Sequence, residues 1–516
     1  MLRKIIKKII SYCKNSTIQN VICVLKIFIY LLTAVWGYTL LKQEVICQFM
    51  SNLKLQNKSD ILSSNYSDSL SLTLDAIEAG LQSVNPTSII KKSVVVKRNT
   101  LSVTDYNGKK IGFNLGEFKS IYLIGAGKAT ASMVDAFLTI LKNKKVEACC
   151  ITVPYGIDMK NKFCSVTWAS HPIPDSNGVL GTERIIQMLE KVKKNDFVVM
   201  FLSGGASALM PLPIDVLSLA EKQQITKKLL SSGASIDEMN TVRKHLSKVK
   251  GGRLAEIVNR KFRLLTLILS DVVNDKMDVI ASGPTVPDRT TFEDAKNVLV
   301  KYQIWNNKIV SKKLRTFISD GISGNIGDTP KLGNVVFSNI NNVIIGNNTI
   351  ACQNIKLFLE KNGIKTMYLG SSFTGRATDL GGFLFRLVTE FPSICTPYAF
   401  VFGGETTVDL KNKANGIGGR NQEAVLSALS RFKKIDKGMD FTIASFGTDG
   451  IDGNSLAAGA VVNLQILQRV TRQGLVISKY LKNHDSNTLF NKINGALYTK
   501  ITGTNVNDVS IVCRLR

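Results

Sequence analysis

The sequence predicts an α/β protein built on mostly parallel sheet, and three observations carry that expectation. Short apolar or β-branched runs recur and end in glycine or a polar turn: IYLIG (121–125), FVVMFLSGG (197–205), LLTLILSD (264–271), NVIIGNN (342–348), YAFVFGGE (398–405) and FTIASFGTDG (441–450). Helical stretches follow these runs, which is the strand–turn–helix rhythm of parallel sheet. The 516 residues are 44% hydrophobic and 20% charged, enough to build a sizeable core and too apolar for a disordered chain. Length alone fits two large domains or three average ones. No repeat of fixed period is present.

The first fifty residues differ from the rest. Arg3, Lys4, Lys7, Lys8 and Lys14 precede any acid, and Val21 to Leu41 is apolar except for Lys26. Twenty-one helical residues reach ~31 Å, the thickness of a bilayer core. Residues 21–41 are therefore a candidate membrane anchor or targeting segment, with a buried helix as the plainer reading. The basic, acid-poor start also suits a mitochondrial presequence, although such segments favour Arg over Lys; the expected location of the body is mitochondrial or cytoplasmic. The polar stretch 51–68 reads as a linker.

Lys and Arg exceed Asp and Glu by 66 to 39, a net charge of +27. The surplus suits an anionic partner: nucleic acid, a membrane surface or a phosphorylated small molecule. Residues 1–50 contribute six of those charges. The remainder is scattered as background Lys, with no aromatic interleaving of the kind a single-strand platform uses, so no nucleic-acid partner is expected. Nine Cys without a C-x-x-C, and three His, argue against a zinc ribbon or a His-rich metal cage, and fit a reduced protein.

The chemistry-bearing motifs sit at strand ends. Gly125-Ala126-Gly127-Lys128 opens a helical run, so glycine backbone, helix N-terminus and a full positive charge coincide. It is neither a Walker A loop nor a complete G-x-G-x-x-G, because the sixth residue is Thr130. Ser203-Gly204-Gly205-Ala206-Ser207 offers two glycines and two hydroxyls as an anion cradle; it lacks the G-x-S-x-G of a nucleophile elbow. Between 243 and 253 lie Arg243, Lys244, Lys248, Lys250 and Arg253, either a solvated helix face or a basic wall, with Lys250 and Arg253 as anion contacts. Asp271 ends a strand, where a carboxylate can hold Mg²⁺, polarise a hydroxyl or merely cap a helix. Glu405 ends another, and the loop Gly416–Gly419 delivers Arg420 to a helix start, where it can grip a carboxylate or phosphate. Asp449 and Asp452 lie in a further loop and are substrate or metal candidates, Asp271 and Asp449 foremost for a metal. His171, beside Pro172, reads as structural more readily than catalytic.

The ordered series IGAGKATASM, SHPIPDSNG, LSGGASALMPLP, EMNTVRKHLSKVKGGRLA, LSDVVNDKMDVIASGPTVPD, GGETTV, GIGGRNQE, GTDGIDG and TGTNVND resembles the type-2 glycerate kinases over about residues 70–510. The resemblance implies a Rossmann-like N-terminal domain, a smaller C-terminal α/β lobe with a MOFRL domain (about 397–510), and an active site in the cleft. The corresponding division is 1–68, 69–330 and 331–516. It implies ATP-dependent phosphorylation of D-glycerate to 2-phosphoglycerate with Mg²⁺, and it carries the family's catalytic lysine and arginine onto Lys128 and Arg420. Loss of either side chain is expected to remove turnover and spare the fold. Gly125, Gly127, Ser203, Gly204, Gly205 and Ser207, with Lys250 and Arg253, are the expected nucleotide or phosphate contacts. A hydroxypyruvate reductase is the alternative enzyme, disfavoured by the incomplete glycine fingerprint, and a non-catalytic membrane-tethered relative is the alternative class. The chain departs from the family pattern at Asn274, Asn454, Lys500-Ile501 and Arg376, which stand where Gly, Pro, Gly-Pro and Glu are usual.

Overall fold

Three sheets organise the chain in a computed structural model that describes residues 53–516 apart from 143–145, 259–260, 392–394, 411–415 and 433–437. Residues 55–516 form one compact unit. The apolar span 21–41 lies outside the described residues. Among those described, no helix is long and apolar enough to cross a membrane.

A small antiparallel meander comes first: β1 (Val94–Lys97), β2 (Thr100–Thr104) and β3 (Lys110–Asn114). The second sheet contains β4 (Ile121–Ala126), β5 (Val146–Pro154), β6 (Ser165–Ala169), β7 (Phe197–Leu202), β8 (Arg263–Leu269) and β9 (Ile340–Gly346), in the order β6-β5-β4-β7-β8-β9. Every pairing in it is parallel. Helices cover its faces, so β7 is buried at all six positions and reads as an unbroken apolar run. The chain winds outward from β4 to β6, then returns to β7 and winds the other way. The order thus reverses between β4 and β7, and the turns after those strands lie against one another at the carboxyl edge of the sheet.

The third sheet contains β10 (Lys365–Tyr368), β11 (Phe373–Arg376), β12 (Tyr398–Thr407), β13 (Phe441–Gly447), β14 (Gly459–Asn463), β15 (Ala496–Leu497) and β16 (Asp508–Arg514), in the order β10-β12-β16-β13-β14-β15, with β11 also on β12. It is mixed rather than parallel. The C-terminal strand β16 inserts antiparallel between β12 and β13. Its first residue, Asp508, lies opposite both Gly404 and Gly447, so the start of β16 meets the carboxyl ends of its neighbours.

Three expectations are revised. Residues 51–68 are not merely a linker: Lys58–Asn65 is a helix held by the C-terminal lobe, with Asn65 Nδ2 donating to the carbonyl of Asn494 at 3.1 Å and Asn463 Nδ2 to that of Asn65 at 2.7 Å. The helix Asp68–Ser83, with an N-cap at Ser67, buries Leu70, Leu74, Ile77 and Leu81 on one face. Ser69 Oγ lies 2.8 Å from Thr442 Oγ1 on β13, so the start of the expected first domain belongs beside the third sheet. The other boundary, at 330, falls before β9, which completes the second sheet. Cys149 and Cys164 are joined in a disulfide rather than left as thiols. They flank the paired residues Cys150 and Ser165 of β5 and β6, which brings their Cα atoms to 4.5 Å.

Candidate active site

The turns after β4 and β7 are locked to one another. Lys128 N donates to the Gly204 carbonyl at 2.9 Å, and Ala129 N to Ser203 Oγ at 3.0 Å. Gly127 has φ +140, and a Cβ there would lie 2.1 Å from Ser203 Oγ. Gly205 has φ +86, and a Cβ there would press on the His171 ring at 2.8 Å. Gly125 lies in β4, where a Cβ would meet the Phe201 carbonyl at 2.6 Å. These glycines are therefore required by the close approach of protein to protein. Ser203, Gly205 and Ser207 line a cleft of about 730 Å³. Gly125 is buried inside the sheet and does not.

Lys128 leaves this double turn half-buried, with its Nζ 3.6 Å from Asp449 Oδ2. Asp271, at the end of β8, closes over Gly204, where a Cβ would fall 2.4 Å from its Oδ2. Asn505 Nδ2 donates to the same oxygen at 3.4 Å. Burial, reinforced by the carboxylates of Glu405 and Asp449 and opposed by Lys128, pushes the Asp271 carboxyl up to about 6. His171 is lowered to about 4, first because protein replaces water around its ring and second because Lys128 is near. It is therefore a neutral imidazole at pH 7.

The second lobe supplies Arg420. Gly419 and Gly418 approach the 452–453 loop and Ser486 so closely that a Cβ would collide, which sets Arg420 at the start of the helix Arg420–Leu429. Its Nε and Nη2 donate to the two oxygens of Asp508 at 2.5 and 3.1 Å, and Nη1 donates to Glu405 Oε1 at 2.7 Å. Burial lifts the Asp508 carboxyl to about 6 against the pull of Arg420. The guanidinium itself is held above its ordinary value by the two carboxylates, which outweigh its own burial. Arg420 and Asp449 line a second cavity of about 630 Å³. Thr407, just beyond Glu405, borders both cavities.

Lys128, Asp271, Glu405, Asp449 and Arg420 are thus brought together from both lobes. Three other expected site residues are engaged otherwise. Asp452 borders the second cavity, but its carboxylate works as a helix cap: its oxygens accept from Asn421 N at 3.0 Å and Gln422 N at 2.9 Å, and from both amide side chains. Lys250 is 1% exposed, and its Nζ donates to the Ser207 carbonyl at 3.0 Å, behind the cleft wall. Arg253 borders neither cavity and reaches Glu256 at 3.7 Å and the Gly327 carbonyl at 3.5 Å.

Sequence reasoning passed over several residues that the structure places here. Asp508, the partner of Arg420, is carried in TGTNVND. His484 borders the second cavity and bonds Glu423 Oε2 at 2.7 Å. Asn454, one of the departures, bridges the loops of that cavity by accepting from Gly418 N at 2.8 Å and donating to the Gly416 carbonyl at 3.1 Å. Asn274 has φ +64 and Lys500 has φ +60, so both occupy left-handed positions that favour the glycine usual there. Arg376 is exposed and pairs with Asp379 at 2.8 Å. No cluster of three or more His, Cys, Asp or Glu fit to hold a metal occurs among the described residues.

Comparison with known proteins agrees with this geometry. Residues 72–319 match the family model "Domain of unknown function (DUF4147)", and residues 398–508 match the MOFRL family. The glycerate 2-kinase of Pyrococcus horikoshii is 38% identical over 447 residues, covering 85% of this chain and 98% of that protein. The D-glycerate 2-kinase of Thermotoga maritima is 36% identical, covering 83% of this chain and 99% of its own. The crystal structure of a glycerate kinase from Thermotoga maritima superposes with a TM-score of 0.73 at 34% identity, covering 86% of this chain and 98% of that one. Two lobes meeting at a lysine and an arginine, with near full-length similarity of this order, show that the chain belongs to the glycerate 2-kinase family.

Proposed function

We propose that the protein transfers the γ-phosphoryl group of ATP to the 2-hydroxyl of D-glycerate, giving 2-phosphoglycerate and ADP. The observation that carries this is the convergence of Lys128 and Arg420, from opposite lobes, on carboxylates at the border of two cavities. Phosphoryl transfer asks the protein mainly for position and for positive charge against the phosphoryl oxygens. Lys128 supplies a point charge on a short tether. Arg420, held rigid by Asp508 and Glu405, keeps guanidinium hydrogens free toward the second cavity.

Asp271 is the group proposed to take the hydroxyl proton, because a carboxylate held near 6 is ionised at pH 7 yet more basic than an ordinary Asp. The residues present fit Mg²⁺ only as an ion shared with nucleotide phosphates, which needs one or two carboxylates rather than a cage. Asp449 would hold it, with Asp271 the other candidate, and Mg²⁺ would neutralise phosphate charge. The test is direct: full-length protein with ATP, Mg²⁺ and D-glycerate, the product identified by phosphorus NMR. Absence of any phosphoglycerate at high enzyme concentration overturns the reading.

Asp271→Asn separates function from stability. Turnover is expected to fall about 10²–10⁴-fold. The ligand-free fold is expected to become more stable than wild type above pH 6. The raised carboxyl holds its proton in the folded state between the unfolded value of 3.8 and about 6, so wild-type stability declines across that window and stays lower above it. Asparagine carries no charge to bury, and the gain at pH 7.5 is about 1–3 kcal/mol. Urea unfolding at pH 4 and 7.5 measures it; an equal difference between the two proteins at both pH values would remove the buried charge as the cause.

A further inference from the structure

The loop that leads into Arg420 has almost no side chains of its own to hold it: Gly416, Gly418 and Gly419 surround an exposed Ile417. A glycine-rich segment has more backbone freedom than any other, so its position must come from whatever its backbone groups bond. Two jaws supply those bonds. On one side is the 483–487 turn, where Asp485 Oδ1 accepts from Ile417 N at 3.0 Å and Asn487 N donates to the Ile417 carbonyl at 2.9 Å. On the other side is Asn454. Its Oδ1 accepts from Gly418 N at 2.8 Å, its Nδ2 donates to the Gly416 carbonyl at 3.1 Å, and its own backbone N donates to the Gly418 carbonyl at 3.1 Å. Every backbone donor and acceptor from the Gly416 carbonyl to the Gly418 carbonyl is thereby used, and Asn454 takes three of the five. An N–H opposite Oδ1 and a carbonyl opposite Nδ2 fix which way the amide faces. The fit is close at both jaws: a Cβ on Gly416 would lie 2.3 Å from the Asn483 carbonyl, and one on Gly453 2.1 Å from the Gly418 carbonyl.

The turn that carries Asn454 also grips the chain just beyond Arg420. Asp452 accepts from Asn421 N and Gln422 N, and Ser455 Oγ accepts from Gln422 Nε2 at 2.8 Å. Arg420 therefore starts between two attachments to residues 452–455, one at Gly418 before it and one at Asn421 and Gln422 after it. Asp508 and Glu405 hold the other end of the side chain, the guanidinium. With that end fixed, the place where the stem begins decides which guanidinium hydrogens stay free for the second cavity. Proline, the residue usual at position 454 in the family pattern, has neither the N–H nor the amide, so this clasp belongs to the present chain.

We propose that Asn454 is a positioning residue for Arg420: by clasping the backbone of Gly416–Gly418 it sets where the arginine stem begins, and so aims the guanidinium hydrogens not taken by Asp508 and Glu405. It acts on turnover through Arg420 and not by holding a ligand. This rests on the kinase reading.

Steady-state kinetics of Asn454→Ala, with folding followed by circular dichroism and thermal melting, tests the assignment. The variant keeps the backbone donor and loses both amide bonds. Asn454 is exposed, so water can reach Gly418 N and the Gly416 carbonyl, and the melting temperature is expected to stay within about 4 °C of wild type. The kcat is expected to fall about tenfold, with KM for ATP and for D-glycerate each within about threefold. A kcat within about twofold of wild type, or a change confined to either KM, overturns the proposal. Asn454→Asp keeps the acceptor for Gly418 N and loses the donor to Gly416; its kcat at pH 8 is expected about threefold down, between alanine and wild type. Should the alanine variant fail to fold, Asn454→Asp carries the test, and a wild-type kcat overturns the assignment. A role through Arg420 must vanish when the guanidinium is gone. Added to Arg420→Ala/Asp508→Asn, Asn454→Ala is expected to change the residual turnover less than about twofold, and a further tenfold fall overturns the route through Arg420. Wild-type protein that makes no phosphoglycerate rejects the kinase reading, whereas active wild type with an indifferent Asn454 rejects only this role.

Discussion

Arg420→Ala is expected to lose stability as well as turnover, by about 3–5 kcal/mol of unfolding free energy. The side chain joins the start of β16 to the end of β12 from the helix Arg420–Leu429, and the Asp508 side chain it neutralises is only 10% exposed. Without the guanidinium, a buried carboxylate remains with no cation to offset its desolvation. The expectation drawn from sequence, that either site cation can be removed without harm to the fold, therefore does not hold for Arg420. The sign of the pH dependence follows from Asp508. Its carboxyl already sits at about 6 despite Arg420, and removing the cation raises it further, so the variant can relieve the strain only by protonation. The deficit should be smaller at pH 5 than at pH 8 in urea unfolding. Adding Asp508→Asn to Arg420→Ala should recover more than half of the lost stability while turnover stays at least about 10²-fold down, because the charge that faces the phosphoryl group is still missing. A single variant as stable as wild type at pH 8 would show that the clamp does not bear on folding.

What the sequence made legible has a physical reason in each case. The strands β4 and β7 were readable because parallel strands buried on both faces become unbroken apolar runs, and the glycines that follow them are forced by turn-to-turn contact. Lys128 and Arg420 were readable because each sits where a glycine turn meets a helix. Asp452 was misread because its work is to cap a helix that begins thirty-two positions earlier in the chain, and a carboxylate used that way has the same local sequence as one left free. Lys250 was misjudged because a lysine that hydrogen-bonds backbone carbonyls inside the wall looks, in sequence, like one that points at a ligand. The insertion of β16 between β12 and β13 depends on pairing across more than a hundred residues, which no local pattern encodes. The helix Lys58–Asn65 lacks an apolar stripe, since Asn65 is tied down by distant backbone carbonyls rather than by a hydrophobic face. Asn274 is the opposite case: the sequence flagged a departure from glycine, and the left-handed backbone there explains why an asparagine, which tolerates that region, is the residue found.

Lys128→Ala is expected to behave differently from the arginine variant: turnover lost, fold kept. The lysine's one ion pair among the described residues, to Asp449, spans 3.6 Å between side chains that are each more than a quarter exposed, and such pairs contribute less than about 1 kcal/mol. The turn itself is held by backbone, through Lys128 N to the Gly204 carbonyl, and that bond does not need the side chain. The melting temperature should therefore stay within about 3 °C of wild type, while kcat falls about 10²–10⁴-fold. Lys128→Arg keeps the charge but replaces a compact ammonium by a planar fork in a turn already crowded by Ser203 and Asp449, and should restore no more than about a tenth of the loss. Two titrations should move with the lysine. Lys128 is what holds the Asp271 carboxyl down and helps to hold the His171 imidazole down, so its removal raises both. The acid limb of the residual pH–rate profile should shift to higher pH, and the NMR titration of His171 should shift the same way. A purely structural lysine would give neither shift. If kcat is unchanged and only the KM for D-glycerate or ATP rises, the side chain contributes binding common to ground and transition states, and its assignment to the transferring phosphoryl group fails.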